Sequence, residues 1–337
     1  MFTLGSLWLY MTARNGGKFR GGYVSCIKQR GFDVYRGDKC RFTEMVQSII
    51  PPLTYESYKG QSGRIGIVGG CKEYTGAPYF AAISALKVGA DLAHVFCTNA
   101  AAPVIKSYSP ELIVHPILDD EKFESEMETW VGKMHALVIG PGLGRDKLLL
   151  DNTKILLEHA MKLNKPIVID ADGLFLLSEN PDLIQGYQKA ILTPNKVEFK
   201  KLFHAVVGEY PPAEDQPAGV IKLSKILGNV TIVCKGKMDL IFRGESGLIC
   251  GDEGSPRRCG GQGDLLAGSL GVFSYWAHKF GSHSELFEAD GPTVAAAYTA
   301  CLLTRRCNAA AFRIHERSMT TSDMIEQIRT CFTRLSQ

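Results

Sequence analysis

The 337-residue chain is 45% hydrophobic, contains 35 glycines and carries a formal net charge of +3. This length allows one large domain or two modest ones, and because no apolar run reaches transmembrane length we expect a soluble protein with no membrane partner. Ten cysteines are scattered without a Cys-x-x-Cys pair, which excludes a disulfide framework and a typical zinc site. The eight histidines show no His-x-x-x-His spacing, so we expect them to be structural.

The positive charge is concentrated at the N-terminus. Residues 1–41 carry a net charge of +6, and the remainder carries −3. An arginine-rich, acid-poor start is typical of organelle transit peptides, so we predict a mitochondrial presequence within an N-terminal segment of residues 1–45 and one domain over residues 46–337. The alternative for this segment is a disordered tail. The mildly acidic body argues against a nucleic-acid partner. Met45 permits a shorter cytoplasmic form, and the sequence leaves a homo-oligomer open.

Short apolar runs alternate with helical patterns from about residue 50 onward. The runs predict strands, and the 3.6-residue apolar period predicts helices between and after them. Such alternation is typical of a doubly wound α/β domain with a mostly parallel sheet, helices on both faces and ligands at the carboxyl ends of the strands. The predicted strands are 64–68, 91–97, 112–115, 136–139, 166–169, 190–193, 230–235, 240–243 and 247–250. The predicted helices are 77–88, 121–133, 146–163, 195–203, 219–227, 264–280, 293–311 and 321–335.

A glycine-rich turn over residues 254–263 leads into Asp264 and an apolar helical pattern. Glycines let backbone amides point into one concavity, and the start of a helix adds partial positive charge, so an anion is favoured there. A bound phosphate would repel the Asp264 carboxylate, which indicates a role in proton transfer beside that phosphate. The alternative is an aspartate that caps an ordinary helix.

Four further motifs follow predicted strands. Gly140–Arg145 lacks the Gly-x-Gly-x-x-Gly spacing of dinucleotide folds, which disfavours a Rossmann dehydrogenase, and the chain has no Walker A motif. Asp170 and Asp172 are either a metal pair or helix caps, with capping favoured for Asp172. Asn195 and Glu198 have the spacing of a capping box, which would also place an amide and a carboxylate beside a metal or phosphate. The fourth motif, residues 235–239, is a hairpin turn or a ligand loop.

The order of these motifs resembles the ribokinase-like superfamily and, within it, the ATP-dependent NAD(P)H-hydrate dehydratases. The resemblance covers about residues 50–335, and residues 254–269 are its most specific part. Bacterial relatives tend to carry threonine or methionine where Gln262 stands. Gln262, preceded by Arg257-Arg258-Cys259, therefore indicates the eukaryotic, ATP-using branch.

This resemblance implies dehydration of the S form of hydrated NADH or NADPH, with ATP as co-substrate and Mg²⁺ as cofactor. Asp264 would be the catalytic base, and Asn195 and Glu198 would be close to the metal. The hydrated nucleotide would be bound by Gly142, Gly144, Asn195, Lys196, Val197, Glu198, Phe199, Lys200, Lys201 and Asp264. ATP would be bound by Lys235, Gly236, Lys237, Met238, Asp239, Gly254, Ser255, Pro256, Arg257, Arg258, Cys259, Gly260, Gly261, Gln262 and Gly263. Two alternatives stay open: a small-molecule kinase of the same fold, such as a hydroxymethylpyrimidine-type kinase, and a catalytically silent nucleotide-binding protein.

Overall fold

A computed structural model of the chain describes residues 39–212, 215–252, 254–281, 287 and 290–335. The predicted presequence therefore lies almost entirely outside the described residues. No helix among those residues has the length and apolar character needed to cross a membrane.

A nine-stranded sheet, in the order β3-β2-β1-β4-β5-β6-β7-β8-β9, forms the centre of the molecule. Strands β1 to β7 are parallel, and β8 and β9 add an antiparallel edge. The strands are β1 (Arg64–Val68), β2 (Leu92–Cys97), β3 (Ile113–Pro116), β4 (Ala136–Ile139), β5 (Ile167–Ile169), β6 (Ala190–Leu192), β7 (Thr231–Cys234), β8 (Asp239–Arg243) and β9 (Ser246–Cys250). All nine predicted strands are confirmed, with small differences at their ends.

Helices cover both faces of the sheet, as the alternating pattern predicts, and two buried apolar clusters lie between the sheet and the helices. The helices are α1 (Lys39–Ile49), α2 (Gly76–Val88), α3 (Ala102–Tyr108), α4 (Phe123–Val131), α5 (Lys147–Lys162), α6 (Ala171–Glu179), α7 (Lys196–Val207), α8 (Gln216–Ile226), α9 (Gln262–Phe280), α10 (Pro292–His315), α11 (Thr321–Glu326) and α12 (Ile328–Thr333). The prediction of one last helix over 321–335 is wrong, because the chain turns at Gln327 between α11 and α12.

Helix α1 lies in a part of the chain where the sequence pattern predicts no helix. Met45, Val46 and Ile49 on this helix are buried in the core. Phe42 is also buried, and its ring lies 5.2 Å from that of Tyr298 on α10. The boundary predicted after residue 45 falls inside α1, and we propose instead that the folded domain includes the whole helix.

Helices α2 and α9 pack closely on one face of the sheet. A Cβ atom on Gly268 would lie 2.0 Å from the carbonyl oxygen of Ala81, so only glycine allows this approach. The contact fixes the position of α9, and with it the position of the residues at the start of α9.

Candidate functional site

The carboxyl ends of the parallel strands open into a cleft of about 640 Å³. Asp170 directly follows β5, β6 leads to Asn195, and β7 leads to Lys235. The start of α9 lies opposite these strand ends. The cleft is lined by Asp170, Ala171, Asn195, Glu198, Lys235, Gly236, Lys237, Asp239, Gly254, Arg258, Gly261, Gln262, Gly263, Asp264, Leu266, Thr304, Arg305, Asn308 and Met324.

Asp264 lies in the first turn of α9 and lines this cleft. The helix begins directly after Gly261, whose φ of 91° is left-handed and favours glycine. Burial, together with the nearby Asp170 carboxylate, raises the pKa of Asp264 to about 7, against a partial opposing effect of Lys235. A carboxyl group with this pKa exchanges a proton readily near neutral pH, which suits a general base.

Lys235 connects the acidic groups of the cleft. Its Nζ donates to Asp170 Oδ1 at 2.7 Å, and it lies 3.9 Å from Glu198 Oε2. The hydroxyl of Thr193 donates to the same Asp170 oxygen at 2.8 Å. Burial lowers the pKa of Lys235, but Asp170, Glu198 and Asp264 outweigh it and raise that pKa above its usual value. Lys235 is therefore a fixed positive charge among three carboxyl groups.

Asn195 and Glu198 form the capping box at the start of α7. Asn195 Oδ1 accepts from the backbone amides of Val197 and Glu198, and Glu198 Oε2 accepts from the amide of Asn195 at 2.8 Å. Burial raises the pKa of Glu198, although Lys235 partly offsets the effect. The capping interpretation is thus confirmed, and it leaves Glu198 Oε1 without a hydrogen bond to any residue that the structure describes.

Side chains of the glycine-rich turn hold its backbone in place. Gln262 Nε2 donates to the carbonyl oxygen of Arg257 and to Cys259 Sγ, both at 3.2 Å. Arg258 donates to the carbonyl oxygen of Ser255 at 2.6 Å. Thr321 on α11 donates to the carbonyl oxygen of Gly260 at 2.6 Å. Gln262 therefore shapes the turn in addition to lining the cleft.

Arg305 on α10 joins the predicted ATP segment 235–239 to Asp252, which precedes the second segment, a role that no sequence motif indicates. Its guanidinium donates to Asp239 Oδ2 at 2.7 Å and to the carbonyl oxygens of Gly236, Lys237 and Asp252 at 2.9 to 3.1 Å. One turn further along α10, Asn308 Oδ1 accepts from the amide of Ser255. Helix α10 therefore fixes both segments relative to the cleft.

Two more cavities adjoin the cleft. One, of about 580 Å³, is lined by Tyr74, Ala77, Gly142, Gly144, Arg145, Ala171, Asp172 and Asp264. The other, of about 480 Å³, lies between α6 and α7 and includes Arg145, Ala171, Asp172, Phe175, Asn195, Val197, Glu198, Lys201 and His204 in its wall. Asp264 thus lines both the cleft and the first of these cavities, which we call the loop cavity. We call the second the α6–α7 cavity.

Asp172 does not cap a helix, so the capping prediction for this residue is wrong. It lies inside the first turn of α6, and its carboxylate accepts from the amide of Gly144 at 3.1 Å and from Arg145 Nε at 2.9 Å. The neighbouring Ala171 lines all three cavities and has a φ of 47°, which is strained for a residue with a Cβ atom. This strain at the end of β5 indicates a functional constraint.

The structure brings most of the sequence-predicted residues to these cavities. Phe199 is an exception because it is buried in the core. Lys200 lies over the ring of Tyr210, at 4.6 Å from the ring centroid. Lys196, Lys200, Met238, Ser255, Pro256, Arg257, Cys259 and Gly260 do not line the three cavities described above. Within the described ranges, no group of three or more His, Cys, Asp or Glu residues is arranged to hold a metal ion.

Comparison with known proteins agrees with this architecture. A family model described as NAD(P)H-hydrate dehydratase matches residues 65–330. The Rattus norvegicus protein named ATP-dependent (S)-NAD(P)H-hydrate dehydratase is 56% identical over 292 residues, which are 87% of this chain and 84% of that protein.

Two solved structures show the same fold. A ribokinase-like superfamily protein from Enterococcus faecalis superposes with a TM-score of 0.70 at 23% identity, covering 88% of this chain and 95% of that one. The ADP/ATP-dependent NAD(P)H-hydrate dehydratase from Bacillus subtilis, co-crystallized with ATP/Mg²⁺, gives a TM-score of 0.65 at 19% identity, covering 87% and 97%. The sheet order, the site and the match over residues 65–330 together show that this chain belongs to the NAD(P)H-hydrate dehydratase family.

Proposed function

We propose that this protein dehydrates the S form of hydrated NADH and NADPH at the expense of ATP, giving the reduced dinucleotide, ADP and phosphate. One observation carries the proposal. Asp264, with a pKa raised to about 7, lies where the cleft lined by the predicted ATP segments meets the loop cavity. The names of the relatives describe the same ATP-dependent reaction.

The reaction needs a better leaving group than hydroxide. Asp264 takes the proton of the ring hydroxyl, whose oxygen then bonds to the γ-phosphorus of ATP while the bond to the ADP oxygen breaks. The lone pair of the ring nitrogen then expels phosphate from the carbon that carried the hydroxyl. The next ring carbon loses a proton to water, which restores the ring double bond. Backbone amides at the start of α9, together with Lys235, would stabilise the charge that develops on the transferred phosphoryl group.

The residues fit Mg²⁺ bound through ATP. Mg²⁺ usually takes one or two protein carboxylates together with phosphate oxygens and water, so it needs no cluster of three acidic side chains. Glu198 would hold it through Oε1, with Asn195 beside it. When bound, the ion would neutralise charge on the phosphates. In this proposal the Asn195 amide nitrogen faces the phosphates, because its oxygen caps α7.

The proposed reaction is tested by its products. Purified protein incubated with hydrated NADPH, ATP and magnesium should release free phosphate in step with recovery of reduced-nicotinamide absorbance. Asp264→Asn should abolish this turnover while ATP still binds. A stable phosphorylated product without recovered NADPH would make the protein a kinase, and no ATP turnover at all would make it a silent nucleotide-binding protein.

We also propose that the N-terminal segment directs the protein to mitochondria, on the basis of its net charge of +6 over residues 1–41. A cytoplasmic form begun at Met45 would lack Phe42, which packs in the core against Tyr298. A form begun at Met45 would therefore lack the first part of α1 and this core contact.

A further inference from the structure

Arg145 ends the motif Gly140–Arg145, and the predicted reaction assigns it no role. Its Nε donates to Asp172 Oδ1 at 2.9 Å, and its guanidinium lies 4.4 Å from the centre of the Phe175 ring. The two Nη groups form no hydrogen bond with any residue that the structure describes. The side chain is 55% exposed, so a fixed and partly unsatisfied cation faces solvent. Such a planar cation suits a phosphate.

Arg145 stands at the junction of two cavities. It lines the loop cavity together with Asp264, and it lines the α6–α7 cavity together with Phe175. The predicted ATP segments, residues 235–239 and 254–263, do not line the α6–α7 cavity. This cavity therefore adjoins the cleft through Asn195 and Glu198 and has no wall in common with the predicted ATP segments.

The hydrated dinucleotide has two nucleoside halves joined by a pyrophosphate. This step rests on the proposed function, in which the ring hydroxyl of the dinucleotide lies at Asp264, in the loop cavity. The other half must then leave that cavity, and the shared wall at Arg145 and Ala171 leads into the α6–α7 cavity. Its volume of about 480 Å³ falls in the range of small-molecule pockets, and Phe175 and Leu174 supply the apolar and aromatic surface that a base requires.

We infer that Arg145 binds the pyrophosphate of the hydrated dinucleotide and that the α6–α7 cavity holds its adenosine half. Asp172 fixes Arg145 in place and also holds Gly144, so it positions both the cation and the loop. Lys201 and His204 on the wall of the cavity lie on α7, the helix that begins with Asn195 and Glu198. One rigid helix thus connects the adenosine subsite with the phosphoryl-transfer site.

The inference is tested by binding without turnover. The probe is NADPH itself, which has no hydroxyl to lose, with the ATP cleft first filled by a non-hydrolysable ATP analogue. Arg145→Met should weaken NADPH binding roughly tenfold or more, as expected for loss of a charged hydrogen bond. Lys147→Met is the matched control, because Lys147 is 88% exposed and pairs with Asp151 on the same helix. The affinity of the Lys147→Met variant for NADPH should stay at the wild-type value.

A second variant tests the cavity. Ser178 lines it and donates to the carbonyl oxygen of Leu174, so Ser178→Phe should fill the space. This variant should bind NADPH at least tenfold more weakly and reduced nicotinamide mononucleotide, which lacks the adenosine half, with unchanged affinity. NADPH affinity equal in Arg145→Met and Lys147→Met, or equal losses for both ligands in Ser178→Phe, would overturn the inference. These experiments measure binding and no step of the reaction. Failure of the native protein to turn over hydrated NADPH would therefore contradict the proposed function and not this inference.

Discussion

The ionisation of Asp264 links stability to activity at the scale of a single residue. Burial and the Asp170 carboxylate raise its pKa from 3.8 to about 7, so the folded protein holds this proton more tightly than the unfolded chain does. The free energy of unfolding therefore falls as pH rises from about 4 to 7, and it stays lower above pH 7. The protein therefore loses stability at neutral pH at a position where a base with a pKa near 7 suits the proposed reaction.

Two measurements follow from this pKa. The kcat/KM for hydrated NADPH should fall below an apparent pKa near 7, because the base must be ionised in the free enzyme. Asp264→Asn should abolish turnover and yet raise the stability of the protein at about pH 8 by roughly 1–3 kcal/mol, with the gain shrinking towards about pH 4. Denaturant unfolding of both proteins at the two pH values measures the difference. A variant equally destabilised at both pH values would contradict the assigned ionisation.

At the scale of elements, helix α10 sets the position of the segments predicted to bind ATP. Arg305 is largely buried and bonds to the turn between β7 and β8 and also to Asp252, which precedes the glycine-rich turn. These bonds join parts of the chain that are far apart in sequence. Three of its acceptors are main-chain oxygens. Arg305 therefore fixes the path of the backbone, whichever side chains those three residues carry.

Arg305→Met should therefore raise the KM for ATP roughly tenfold or more and leave the KM for hydrated NADPH nearly unchanged. Arg305→Lys keeps the charge and should recover part of the loss. Arg306→Met is the control, because Arg306 bonds to the Asp252 side chain and to the carbonyl oxygen of Arg334 but not to the β7–β8 turn. Equal increases in both KM values for Arg305→Met would indicate general disruption and contradict the role in ATP positioning.

Local elements were predictable, and long-range pairs were not. The strand at 136–139 and the capping box at Asn195 follow from apolar runs and from a spacing of three residues. The ion pair between Lys235 and Asp170 joins residues 65 positions apart, so no local pattern contains it. Asp172 shows the same limit: its place after a strand suits a cap, but its partners are in another loop.

At the scale of the whole molecule, the sheet topology sets which side of the site each reactant would occupy in the proposed reaction. From β1 the following strands are added towards one edge of the sheet, and from β4 they are added towards the other edge. The point between β1 and β4, where the direction switches, is a usual ligand site in such sheets. The loop cavity adjoins this point, and the cleft follows β5 to β7 towards the antiparallel edge. Asp264 faces both, which is the arrangement that direct transfer from ATP to a ring hydroxyl requires.

The origin of the oxygen in the released phosphate tests this account most directly. NADPH hydrated in ¹⁸O-water carries ¹⁸O in its ring hydroxyl, and the reaction is then run with ATP in ordinary water. The account predicts one ¹⁸O atom in each phosphate released by the native protein, because the hydroxyl oxygen bonds to the γ-phosphorus before the ring carbon releases it. Phosphate without ¹⁸O, formed together with NADPH, would show that water and not the substrate attacks ATP, and would contradict the account.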